Sequence, residues 1–244
     1  MSILEIIEQQ QQSESTIPGI VTAKITDNKD PEKIGRVKVR YGWRYADEES
    51  DWIRILTPMA GKQMGIFFLP EIDDEVIIAF QNGDINSPIV LGMVWSSNVQ
   101  PPSTNDDGKN DIRMIKSRSG HKVILDDKDG NETISIIDKS GKNSMIFDTA
   151  QKSITITSEQ DISLLAKNGK IVLDAKELEF TSSDKTSITA NSDFTVAASS
   201  GKAAIEASQL DFKGSAQGSL DGGASLTVKA SGNLTIQGTM VNIN

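Results

Sequence analysis

Over its last hundred or so residues the chain repeats one short pattern, apolar, polar, apolar, at a spacing of sixteen. The triplets are Ile162-Ser163-Leu164, Leu178-Glu179-Phe180, Phe194-Thr195-Val196, Leu210-Asp211-Phe212 and Leu226-Thr227-Val228. All ten flanks are apolar and all five centres polar, in a chain that is only 37% hydrophobic. Weaker half-step triplets drift by a residue or two between them: Ile154-Thr155-Ile156, Ile171-Val172-Leu173, Ala204-Ile205-Glu206, Leu234-Thr235-Ile236 and Val241-Asn242-Ile243. The underlying period is therefore about eight residues.

Alternation with period two describes a strand with one buried and one wet face, and its regular return after a turn marks a stacked solenoid. Linkers such as Lys167-Asn168-Gly169-Lys170 and Ser199-Ser200-Gly201-Lys202 consist of turn formers. Each triplet offers too few apolar side chains for one chain to bury, and its strand would leave unpaired edges. Several copies wound together cover the stripe and pair the edges at once. The expectation is an intertwined homotrimeric β-helix, a triple-stranded β-prism. Its core would be Ile162, Leu164, Leu178, Phe180, Phe194, Val196, Leu210, Phe212, Leu226 and Val228.

Composition divides the 244 residues. All seven prolines lie at or before Pro102, as do Trp43, Trp52, Trp95, Tyr41 and Tyr45, whereas the later part has only Phe147, Phe180, Phe194 and Phe212 as aromatics. The first hundred residues can build a conventional core and the rest cannot. The expected division is 1–16 as a docking or frayed segment, 17–96 as a barrel, 97–111 as a linker and 112–244 as the spike. Within the opening segment, Ile3, Leu4, Ile6 and Ile7 are spaced as one face of a short amphipathic helix.

A net charge of −9 repels a phosphate backbone and argues against nucleic acid or an anionic membrane surface as the main partner. The absence of cysteine excludes disulfides and thiolate metal sites. The first residues carry no basic n-region and no long apolar run, so neither a Sec-type signal nor a spanning helix is expected. Synthesis in the cytoplasm follows, with export, if any, by other means.

From residue 17 to 95 the sequence reads as short strands broken by Gly, Pro, Asn and Asp, the pattern of an all-β barrel. Strands are expected at 19–25, 35–41, 51–56, 65–69, 75–80 and 88–95, with a turn at Asp27-Asn28-Lys29-Asp30-Pro31 and a hairpin signal at Asn82-Gly83-Asp84. So many strands in some eighty residues, without a substantial helix, suit an OB-type barrel.

Five ordered motifs in this segment carry a resemblance: Asp27-Asn28-Lys29-Asp30-Pro31, Gly35-Arg36-Val37-Lys38-Val39, Trp52-Ile53-Arg54, Phe67-Phe68-Leu69-Pro70-Glu71 with Asp74-Glu75-Val76, and Phe80-Gln81-Asn82-Gly83-Asp84 with Pro88-Ile89-Val90-Leu91-Gly92. Together they resemble the barrel of the VgrG and phage baseplate assembly protein V family. Arg118-Ser119-Gly120-His121-Lys122-Val123-Ile124-Leu125-Asp126-Asp127 resembles the start of that family's β-helix, and Gly238-Thr239-Met240-Val241-Asn242-Ile243-Asn244 resembles its ends.

The resemblance implies the needle of a contractile phage tail, R-type bacteriocin or injection system. That needle is a homotrimer whose OB barrels sit on a tail hub and whose β-helix is driven through a target cell membrane, with no covalent chemistry and no cofactor. VgrG proteins carry a large hub domain ahead of the barrel, and some sixteen residues stand there here, so a separate tail hub protein is expected, docked through the barrel end and Ile3, Leu4, Ile6 and Ile7. The interval after the barrel is too short for the lysozyme domain of some phage spikes. The single histidine, His121, does not supply the His-x-His iron apex of others. A PAAR-type tip protein is then expected on Met240, Val241, Asn242, Ile243 and Asn244.

Other chemistry reads as structure. Asp126-Asp127-Lys128-Asp129-Gly130-Asn131 fails the EF-hand spacing and suits a hairpin turn. Glu71, Asp73, Asp74 and Glu75 lie between two expected strands as a solvated connection. No Gly-x-Ser-x-Gly elbow or P-loop occurs. The competing readings are an OB-fold binder of single-stranded nucleic acid or oligosaccharide, disfavoured for nucleic acid by the charge, and a β-solenoid carbohydrate hydrolase or adhesin, disfavoured because only two of five triplet centres are acidic.

Overall fold

The computed structural model describes residues 17, 19–43 and 48–243, and the chain divides into two units, one running to Ile171 and the other starting at Val172. Ile3, Leu4, Ile6, Ile7 and Asn244 lie outside the described residues, as does Tyr45.

The first unit opens with β1 (Ile20–Asp27), β2 (Lys38–Tyr41), β3 (Arg54–Ile55), the short pair β4 (Ala60–Gly61) and β5 (Met64–Gly65), β6 (Glu75–Phe80) and β7 (Pro88–Met93). Five of these form one sheet in the order β2-β1-β6-β7-β3, antiparallel except for the last pair. The two end strands then meet. Val37, just before β2, and Ile53, just before β3, exchange both backbone bonds at 3.0 and 2.8 Å, which curls the sheet into a ring. Register shifts at Ile25/Asp27 and Ile77/Ile78 mark the bends that closure requires.

Alternation decides what fills the ring. Along β6 every second side chain, Val76, Ile78 and Phe80, is buried, and Ala23, Ile25, Val39 and Tyr41 join them from β1 and β2. With Val37, Ile53 and Val90 these residues make the core. β6 and the start of β7 lie where the sequence pattern puts them. The run 65–69 does not become a strand: the last bond to the β4 side is from the Ile66 N–H to the Met59 carbonyl at 3.1 Å, and Phe67 and Phe68 continue as exposed backbone. Gly65 is held at φ +150°, where an added Cβ would stand 2.4 Å from the Met59 carbonyl oxygen. Gly65→Ala is expected to displace the β4/β5 hairpin and cost on the order of 1–3 kcal/mol, read as a lower urea midpoint; an unchanged midpoint would contradict the placement.

The β1–β2 connection is organised by one carboxylate. Asp30 accepts the backbone N–H groups of Glu32, Ile34 and Arg36 at 3.0 to 3.2 Å and pairs with the Arg36 guanidinium at 2.8 Å. The Arg36 side chain is the main reason the carboxyl is held well below the usual range. The folded state therefore binds this proton less readily than the unfolded chain. Its stabilisation is complete above the unfolded value of about 3.9 and fades as pH falls below it. Asp30→Asn should lower the urea midpoint at pH 7, and the gap from wild type should narrow steadily from about pH 5 downward. A pH-independent gap would show that the charge is not what organises the turn.

A second sheet follows in the same unit: β8 (Ile112–Lys116), β9 (Lys122–Asp126), β10 (Thr133–Ile137), β11 (Ser144–Asp148) and β12 (Ser153–Thr157), a sequential antiparallel meander. Its turns are closed locally. Lys128 N–H bonds the Asp126 carboxylate at 3.0 Å and Gly130 sits at φ +72°, so the Asp126–Asn131 run is the hairpin turn its sequence suggests. Asp138 accepts Ser140 Oγ at 2.7 Å, the leading cause of its lowered pKa, in the next turn.

The second unit has no strand among its described residues, and all of them but Gly222 are exposed. The chain as described is all-β. Of the segment 112–244, expected as a β-prism, the single chain shows a self-paired meander to Thr157 and, among the later described residues, bends and turns without ladder partners.

Candidate functional site

The stripe residues are presented rather than packed. All ten positions of the sixteen-residue repeat are exposed, from Leu210 at 49% to Phe212 at 80%. Phe194, near the middle, is 62% exposed. Beyond Thr157 the described backbone makes two turn bonds, Gly169 N–H to Ala166 O and Ser225 N–H to Gly222 O. Among the described residues a single chain thus brings none of the ten together and leaves their backbone groups to solvent or to other chains. At the far end Met240, Val241 and Ile243 are likewise exposed, and Asn242 with them.

The meander adds a second apolar surface that the sixteen-residue count misses. Its register aligns Arg113, Leu125, Ile134, Phe147 and Ile154 in one row and Ile115, Val123, Ile136, Met145 and Ile156 in the next, both on one face. Nine of those ten are apolar, and the charge at the corner, Arg113, is paired with Asp127. The signal was present in Val123-Ile124-Leu125, Ile134-Ser135-Ile136 and Met145-Ile146-Phe147, whose spacing is wider than eight.

The polar candidates have structural partners. His121 precedes β9, and its Nδ1 accepts the Lys139 N–H at 3.2 Å, tying two neighbouring turns of the meander together. Asp74 accepts the Glu71 N–H at 2.9 Å within the connection to β6, and Glu71 pairs with Arg118 at 3.1 Å, a link between barrel and meander that sequence spacing does not reveal. Among the described residues no group of three or more His, Cys, Asp or Glu could hold a metal ion. No described helix is long and apolar enough to cross a membrane.

A five-stranded barrel closed on itself, followed by a meander and then an apolar repeat, defines an OB-barrel protein with a repetitive extension. Residues 21–95 match the family described as the type VI secretion system/phage-baseplate injector OB domain. The relatives include the actin cross-linking toxin VgrG1 of Vibrio cholerae, 31% identical over 131 residues that make up 52% of this chain and 11% of that protein. They also include the type VI secretion system spike protein VgrG1a of Pseudomonas aeruginosa, 29% identical over 135 residues, 50% of this chain and 21% of that one. VgrG1c of the same organism is 35% identical over 75 residues, 29% of this chain and 10% of its own length. Residues 21–95 thus carry the injector OB domain, and the chain is similar to VgrG spike proteins, of whose length it spans about a tenth to a fifth.

Proposed function

We propose that the protein is the central spike of a contractile tail or injection particle, a structural homotrimer that pierces a target cell membrane when the sheath contracts. The observation that carries this reading is the apolar stripe of residues 162–228, exposed in one chain, downstream of an injector OB barrel. Three copies wound together would bury the stripe and give each extended segment backbone partners on other chains. Such a rod resists bending because unravelling one chain breaks hydrogen bonds in all three. Its role is to transmit force, which requires no catalysis and no cofactor.

In this reading the barrel end, with Ile3, Leu4, Ile6 and Ile7, docks on a tail hub protein, and Met240, Val241, Asn242, Ile243 and Asn244 receive a PAAR-type tip protein. The chain is made in the bacterial cytoplasm and acts outside the cell once the particle fires. The toxin activity in one relative's name is not carried over, since the match covers 11% of that protein.

Immunogold labelling of sedimented particles tests the placement. Gold is expected at the baseplate end, and particles from a deletion strain should lose killing or delivery. Label along the sheath, or full delivery without the protein, would refute the role.

A further inference from the structure

The sequence contains two Asn-Gly pairs, Asn82-Gly83 in the barrel and Asn168-Gly169 between the triplets Ile162-Ser163-Leu164 and Ile171-Val172-Leu173. Both asparagines are exposed, so access to water does not separate them. Their backbones do. Asn82 stands at φ 53° and ψ 22° inside a turn closed by four bonds of 2.9 Å: Gln81 N–H to Ser87 O, Asp84 N–H to Gln81 O, Ser87 N–H to Asp84 O and Ile17 N–H to Gly83 O. Around Asn168 the described residues make one backbone bond, Gly169 N–H to Ala166 O at 3.4 Å, longer than the ordinary range for such a bond. No strand or helix includes this turn, and a Cβ added at Gly169 would meet nothing within 4 Å.

We propose that Asn168 is a site of spontaneous self-modification, converting through a cyclic imide to aspartate and isoaspartate, and that the barrel spares Asn82 the same change. The Gly169 nitrogen loses its proton and attacks Asn168 Cγ; a C–N bond forms there, and Nδ2 leaves as ammonia with that proton. Water then adds to one of the two imide carbonyls. Opening on one side gives aspartate, and opening on the other gives isoaspartate, in which the main chain runs through the side-chain carbons. No oxidant, reductant or second protein takes part. Gly169 favours the attack because it has no side chain to crowd its nitrogen. The neighbouring Lys167 and Lys170 ammonium groups favour the transient negative charge on that nitrogen.

At Asn82 the same ring closure requires the backbone to leave its turn. That motion breaks bonds anchored in the barrel: Ile17 packs against the core, and Phe80, next to Gln81, is part of it. At Asn168 only the one long bond is lost. Each conversion exchanges a neutral amide for a carboxylate, adding to the net charge of −9. Isoaspartate also lengthens the main chain by a carbon atom, which displaces Ile171-Val172-Leu173 and every later triplet from Ile162-Ser163-Leu164. The change therefore falls within the apolar repeat and alters its spacing.

The test is incubation of the purified full chain in mildly alkaline buffer made with water enriched in heavy oxygen, followed by mass spectrometry of chymotryptic peptides spanning each pair. Asn168 should gain a labelled carboxylate at least about tenfold faster than Asn82, with isoaspartate identified by electron-transfer fragmentation. In urea, which opens the barrel turn, the two rates should converge. Gly169→Val, whose side chain has open space around it but crowds the attacking nitrogen, should slow conversion at Asn168 by at least about tenfold and leave Asn82 unchanged. Equal rates at the two asparagines in the folded protein would overturn the proposal. So would an unmodified Asn168 under conditions where Asn82 converts in urea, or a wild-type rate in Gly169→Val.

Discussion

Phe194→Asp is expected to abolish the SDS-resistant trimer expected of the wild-type chain on an unboiled gel. Phe194 occupies the middle triplet of the stripe and is exposed in one chain, so the substitution leaves the single chain's own packing almost untouched. In a threefold rod the same position places three carboxylates around one axis. Each would lose hydration at several kcal/mol, and each pair at about 5 Å would repel by roughly 3 kcal/mol at an effective dielectric constant near 20. No partner cation lies in the triplet to offset this, whereas Thr195, on the alternate face, should tolerate the same change. A Phe194→Asp chain that still runs as a trimer would remove the stripe from the core.

Ile78→Ala should lower the stability of the barrel by about 2–5 kcal/mol, a large share of the roughly 5–15 kcal/mol a domain possesses. Ile78 is fully buried on β6, the central strand of the five-stranded sheet, between Val76 and Phe80 on the inward face. Closure of the ring by the single Val37–Ile53 bridge leaves few ways for the wall to collapse into the space. Urea unfolding followed by tryptophan emission reads the change, because Trp52 lies in the same unit with the Lys38 ammonium 5.6 Å from its ring centroid. A loss below about 1 kcal/mol would mean that the barrel is packed elsewhere.

Much of the barrel was legible because its signals are local. Val76, Ile78 and Phe80 alternate with less buried neighbours as their spacing requires, and Asn82 and Gly83 supply the two positive φ values of the β6–β7 connection. The run Ile66-Phe67-Phe68-Leu69 misled for a physical reason: its apolar side chains have the composition of a strand, yet the pairing ends at the Ile66 N–H and Pro70 offers no N–H to continue it. The ring closure through Val37 and Ile53 depends on a contact sixteen residues apart, which no periodicity reports.

The sixteen-residue stripe was visible in the sequence because side-chain alternation survives without a partner. Alternation does not say what pairs with its backbone, and a single chain displays Phe180, Phe194 and Phe212 uncovered. The meander was harder to see, since Val123-Ile124-Leu125 has an apolar centre, its spacing to Ile134-Ser135-Ile136 is wider than eight, and only the register shows that they share a face.

The most direct test of the spike is the mass of the purified, unboiled wild-type protein by multi-angle light scattering. A trimeric spike gives a single species near three times 26.4 kDa that stays constant on dilution. A monodisperse species at 26.4 kDa across the same range would contradict it.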